Sequence, residues 1–252
     1  MTINFMIHCG GTHVPRTSLD LVPLPSVTDT YRPIAHREFA DIIENQLVNS
    51  GYSFGEQVHA LNHEGQQYFG MAELLDGQQV HDKDWSLIAG WRSSYNKSLS
   101  ASFVVGSQVF VCDNLAFFGE IKIARKHTPN IVEELPYLIG DAVNRTREAA
   151  ELQQKRYQHY KDFHVTDKSA NDTIIHLLRK GVITSGKVKK VVDEYYDPSH
   201  LEHLNEHGNK TTWTLFNAAT EALKGTGLAH LPQRTIKLHN IIDDVTSWKK
   251  AA

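Results

Sequence analysis

Cysteine is scarce in this chain: its 252 residues include only Cys9 and Cys112, too few for a disulfide framework or a four-thiolate zinc site. The expected compartment is therefore reducing and the expected location cytoplasmic. Long apolar runs are missing too. No stretch reaches the roughly 18 uninterrupted apolar residues of a membrane span, so no membrane partner is expected. The opening MTINFMIHCGG has no basic leader, and Asn4 and His8 interrupt its apolar residues, so it does not read as a signal peptide. Nor is there an excess of positive charge. Lys and Arg number 26 against 29 Asp and Glu, a net −3, which excludes a uniformly basic coat for duplex DNA. What remains is 40% apolar and 22% charged, the composition of a globular protein long enough to hold a core without staples. The 15 histidines add charge below about pH 6.5.

The charge divides unevenly near Asn130. Residues 1–130 carry 9 basic and 13 acidic side chains, leaving 17 and 16 for residues 131–252. The first part reads as sheet and the second as helices, packed together as one unit. Four of the eight prolines, Pro15, Pro23, Pro25 and Pro33, fall between Val14 and Pro33 and predict an extended strap. A helix follows over Ile34–Val48, with Phe39, Ile42, Ile43 and Leu47 at helical intervals and Asn49 to Gly51 as stop signals. From Tyr52 the period changes. Gln57–Leu61 and Gln67–Met71 around the turn Asn62–Gly65 predict a hairpin, and a second polar turn follows at Asp76–Gly77. Trp85–Trp91, Leu99–Val105, Gln108–Cys112 and Phe117–Ala124 are further strands, rich in branched and aromatic residues. Short turns between consecutive strands imply an antiparallel meander. After Pro129 the spacing predicts one helix of about thirty residues, with Ile139, Val143, Thr146, Ala150, Gln153, Tyr157 and Tyr160 on one stripe. Asp172–Lys180, Ser185–Tyr196, Thr212–Lys224 and Ile236–Trp248 complete the helical half. The fold class is α+β: an antiparallel meandering sheet with one preceding helix, then a mostly helical half.

Several local patterns have a chemical reading beside a plain one. Gly181 to Lys187 has the glycine and lysine spacing of a phosphate loop, but Val188 stands where a magnesium-holding hydroxyl belongs and the segment follows a helix, not a strand. The same stretch suits a helix-turn-helix presenting Lys187, Lys189 and Lys190, or two packed helices with a solvated basic face. His200, His203 and His207 would share one face of a helix, where they suit a transition metal or a solvated surface. No HExxH motif completes them. His8, Cys9 and His13 flank Gly10 and Gly11, as a thiol with a base or as a small buried cluster. Ser93 and Ser94 lack a nucleophile elbow, and Asp113 lacks a partner recognisable from spacing. No catalytic residue, metal ligand or cofactor is assigned.

The segment Trp91 to Ser98, WRSSYNKS, joins two predicted strands and mixes rings, cations and hydroxyls. Those are the groups a single nucleic-acid strand needs: aromatic faces for bases, cations and hydroxyls for phosphates. Lys122, Arg125, Lys126 and His127 add a basic run after the last strand. The candidate interface is therefore Trp91, Arg92, Ser94, Tyr95, Lys97, Lys122, Arg125 and Lys126. The plain alternative is a hairpin turn with Trp91 and Tyr95 in the core and Arg92 paired to a carboxylate.

Residues Arg92–Ser98 (RSSYNKS), Val109–Leu115 (VFVCDNL), Gly208–Glu221 (GNKTTWTLFNAATE) and the opening Phe5–Gly11 (FMIHCGG) resemble the signature segments of a phage- and plasmid-associated family, catalogued as a domain of unknown function, number 932. The resemblance runs from near the start to about Gly225. It implies a mobile-element setting, host cytoplasm if phage-encoded, and no assigned reaction. The order of helix, meandering strands and helices is also similar to single-strand annealing recombinases, whose subunits form rings or filaments. The first expectation is a non-catalytic, oligomeric protein that binds single-stranded DNA during annealing or recombination. The second is a protein that inhibits or recruits a host factor, and the third a metal-dependent enzyme using the histidines.

Overall fold

Alternating apolar residues between Tyr52 and Arg125 build five strands, and Thr12–His13 adds a sixth at the edge of an antiparallel sheet whose strand order is the chain order. The computed structural model describes residues 11–76, 85–109, 114–205, 208–227 and 230–248. The strands are β1 (Thr12–His13), β2 (Tyr52–Asn62), β3 (Gln67–Asp76), β4 (Trp85–Ser94), β5 (Ala101–Val109) and β6 (Asn114–Arg125). The β2–β3 hairpin closes where predicted, through His63, Glu64 and Gly65, all at positive φ. Two predicted strands, Leu99–Val105 and Gln108–Cys112, are in fact one. Gly106 and Ser107 read as a break, but they stay paired to Phe117 and Ala116, and the register shifts between Val104 and Gly106. The glycine marks a bulge that bends a continuous strand. Cys112 lies outside the described residues, as do Cys9, Asp113 and the second predicted turn beyond Asp76.

The proline-rich strap is less extended than expected. Arg16–Leu21 winds into a short 3-10 helix, and Arg16 holds Asp41 at 2.6 Å, pinning the strap to α1 (His36–Asn49). On α1 the buried residues Phe39, Ala40, Ile43 and Leu47 recur at helical spacing.

One sheet face carries Tyr68, Trp85, Trp91, Phe103 and Ser107, all buried. Tyr157 seals it from above, edge-on to Trp85 at 5.6 Å and hydrogen-bonded to Ser107 at 2.5 Å. That residue joins the two halves of the chain. It belongs to α3 (Thr146–Asp162), which follows α2 (Ile131–Asn144) after a one-residue break at Arg145. The single helix of thirty residues is thus two. Every residue of the predicted stripe is nonetheless buried, from Ile139 through Thr146 to Tyr160.

The remaining helices are α4 (Asp167–Arg179), α5 (Val188–Tyr196), α6 (Thr212–Leu223) and α7 (Leu231–Thr246). α4 begins earlier than predicted because Thr166 caps it, accepting from the Ser169 backbone N–H. α7 also begins earlier, with Pro232 in its first turn, where a missing N–H costs nothing. α6 starts with a reciprocal capping pair, Thr211 and Thr214, and buries every residue except Glu221. It is the central helix of the second half. Among the described residues no helix is long and apolar enough to cross a membrane.

Candidate functional site

The β4–β5 connection is built by its own short side chains. Ser94 Oγ accepts from the Leu99 backbone N–H at 2.9 Å and donates to the Leu99 carbonyl at 3.0 Å. Asn96 Oδ1 accepts from the Ser98 backbone N–H at 3.1 Å, a side-chain mimic of a backbone turn. Between them Lys97 sits at φ 62°, a left-handed conformation that glycine or asparagine would adopt more cheaply.

This turn forms one wall of a pocket of about 390 Å³. The turn supplies Lys97, Ser98, Leu99 and Ser100; the residues after β6 supply Lys126, His127 and Thr128; the strap supplies Thr30 and Tyr31. Two lysines from separate segments therefore converge on one cavity whose lining contains hydroxyls and no carboxylate. Lys97 Nζ lies 4.5 Å over the Tyr31 ring, a cation–π contact that holds the ammonium at the mouth.

The floor beneath is a buried aromatic network. Tyr31 donates to the Tyr95 carbonyl at 2.8 Å, Tyr95 Oη accepts from the His36 backbone N–H at 2.9 Å, and the His36 ring stacks on Tyr95 at 3.8 Å. Burial lowers the His36 pKa to about 4, against the opposing hydrogen bond to the Gly65 carbonyl. Burial likewise lowers His127, with the Arg32 backbone acting in the opposite direction. Both imidazoles are neutral at physiological pH.

The predicted interface residues separate into four groups. Lys97 and Lys126 meet at this pocket, and Ser94 shapes its turn. Arg92 and Lys122 line a second, smaller and more apolar pocket of about 50 Å³ on the opposite sheet face, beside Phe69, Met71, Val104 and the start of α7. Arg125 is engaged by Glu134 of α2, so its charge is already balanced. Trp91 and Tyr95 are both core residues, each only 3% exposed. The base-stacking role expected of them is thus corrected: Trp91 donates to Tyr68 Oη at 2.8 Å and Tyr95 lies under His36, leaving no ring face for a base.

Other candidates are accounted for inside the fold. Lys187 donates to the Lys224 carbonyl at the end of α6 and to Thr226, while Lys189 and Lys190 pair with Asp193 and Glu221. Only Lys187 is turned into the fold; Lys189 and Lys190 stay exposed, each beside a carboxylate. Gly181 ends α4 at φ 70°, a helix stop. His200 and His203 flank a single 3-10 turn and His203 is buried, so they share no helix face, and His207 lies outside the described residues. Among the described residues no three His, Cys, Asp or Glu side chains converge as a metal site. His8 and Cys9 lie outside them too. Ser93 Oγ meets His127 Nε2 at 3.2 Å, but Ser93 is wholly buried, so the pair is a core hydrogen bond. Thr30, Tyr31, Leu99, Ser100 and Thr128 are the pocket residues that sequence reasoning missed. Thr30 and Tyr31 reach the site only because the strap folds back over the sheet's end.

One protein family, described as Domain of unknown function (DUF932), matches residues 23–242. No curated protein and no solved structure matches the chain.

Proposed function

The chain belongs to this family, which carries no assigned reaction, and from that footing we propose that it binds single-stranded DNA without catalysis, through phosphate contacts at the Lys97–Lys126 pocket. The observation that carries the reading is the convergence of two lysines and several hydroxyls around a cavity with no carboxylate in its lining. Phosphate oxygens are the ligand that ammonium and hydroxyl groups recognise together. Lys122, four residues before Lys126 on the last strand, extends the positive charge toward the opposite face. Bases are not stacked on Trp91 or Tyr95. Binding is therefore weakly dependent on sequence and mostly electrostatic.

Fluorescence polarisation with a labelled oligonucleotide tests this. Three phosphate contacts on a single strand give a slope of log K against log salt of about −2. Replacing Lys97 and Lys126 together by Gln reduces the slope toward about −0.7, the share of one remaining contact. No binding at low salt, or an unchanged slope in the double variant, rejects the proposal. Assembly on the strand belongs to the same proposal, along with a role in annealing or recombination. Gel filtration with and without oligonucleotide reads the assembly.

A second reading, that the protein engages a host protein, is favoured by the exposed apolar residues Leu21, Leu24 and Val27 on the strap. Pull-down after nuclease treatment, comparing the wild type with Leu21→Ser and Leu24→Ser, separates it from the first.

A further inference from the structure

We infer that the Lys97–Lys126 pocket is an end site: it takes a phosphomonoester, at a strand terminus or on a free nucleotide, in preference to the diesters within a strand. The inference rests on the reading above, because it concerns the same pocket. Charge is the first argument. The lining holds two ammonium groups and no carboxylate, and neither lysine forms an ion pair with a described carboxylate. A phosphomonoester carries about −1.5 to −2 near neutral pH, against −1 for a diester, so it alone neutralises both lysines at one point. Size is the second. A volume of about 390 Å³ suits a small ligand rather than a passing chain, since single-molecule sites start at about 300 Å³. A strand running through would need further cations close by, and Lys122 stands four residues along β6, about 13 Å away at strand spacing.

The donors agree. Within the described residues the Ser100 and Thr30 hydroxyls make no hydrogen bond, and both line the cavity. Ser98 Oγ, by contrast, is already committed to Gln67 and Asn96. The Tyr31 face is covered by Lys97, so a base gains no stacking partner there. Recognition is by the phosphate group. Lysines rather than an arginine fork provide the charge, so the site reads charge density and not a fixed bidentate geometry.

The test compares three labelled oligonucleotides of one sequence, with a 5′-phosphate, a 3′-phosphate or hydroxyls at both ends, by polarisation at moderate salt. One phosphorylated form should bind at least tenfold tighter than the hydroxyl form, and which one identifies the end. Lys97→Gln with Lys126→Gln should abolish that preference, so that all three oligonucleotides bind alike and more weakly than the wild type binds the hydroxyl form. Inorganic phosphate and a nucleoside monophosphate should each raise the Tm of the wild type and not of the double variant, a readout independent of strand binding. Equal affinity for all three oligonucleotides overturns the end-site inference while strand binding stands. A phosphate-dependent rise in Tm with no oligonucleotide binding upholds the phosphomonoester site and rejects the strand reading. A Tm rise of the same size in the double variant overturns the inference, as does the absence of any phosphate effect.

Discussion

Gly70 has no side chain because Trp91 occupies the space. The two residues face each other across β3 and β4, and a Cβ on Gly70 would lie 2.0 Å from Trp91 Nε1. The indole N–H donates to Tyr68 Oη, which is hydrogen-bonded in turn to His59 Nδ1 at 2.9 Å. Gly70→Ala must expel the ring and break that relay, so a loss of roughly 2–3 kcal/mol is expected in urea denaturation. Lys97 presents the opposite case, a residue whose backbone suits glycine while its side chain serves the pocket. Its left-handed φ costs about 1–2 kcal/mol, which Lys97→Gly recovers while losing the contact with Tyr31 and gaining unfolded-state entropy. Thermal melting should therefore move by no more than about 1 kcal/mol equivalent, while affinity for a phosphorylated oligonucleotide falls. Of the two readings of Trp91–Lys97, the plain one describes Trp91 and Tyr95, which are core. Lys97 lines the pocket on which the proposed function rests. Composition alone does not say which face of a strand a ring occupies.

At the scale of elements, periodicity located almost every strand and helix, and its failures have local causes. Gly106 was read as punctuation because a bulge and a turn use the same residue, and only the pairing with β6 tells them apart. Arg145 breaks a helix without any proline or glycine at the break, so no sequence signal marked it. The early starts of α4 and α7 go with Thr166, which caps α4 ahead of its first apolar residue, and with Pro232 in the first turn of α7. Element packing also explains a polar group that the pattern left unassigned. Asp243 of α7 accepts from Arg156 at 2.8 Å and from Tyr160 at 2.5 Å, both on α3. Arg156 is only 7% exposed in its side chain, so Asp243→Ala strands a buried charge and is expected to cost about 3–5 kcal/mol. Chemical denaturation checks it. Asp243→Asn, which keeps an acceptor for Tyr160, should cost less.

For the molecule as a whole, the histidines make stability depend on acidity. His36, His59 and His203 are buried and neutral, each lowered by desolvation from 6.5 to about 4, and His127 and His239 are lowered too. The unfolded chain takes up these protons first. Their contribution is thus complete above about pH 6.5 and lost as the pH falls toward 4. At pH 5 each of the first three should have given up about 2 kcal/mol. Urea midpoints at pH 7.5 and pH 5 should show a large fall with net proton uptake, and His36→Gln should flatten it. The composition showed the histidines but not their burial, which depends on tertiary packing. The sequential order of the sheet has a further consequence during synthesis. Each strand pairs with the one made just before it, so the hairpins can close as the chain leaves the ribosome, with little loop entropy to overcome. Every residue lining the Lys97–Lys126 pocket lies at or before Thr128. The pocket is thus encoded wholly in the half of the chain that emerges first, and the helices that seal the sheet arrive after its parts exist.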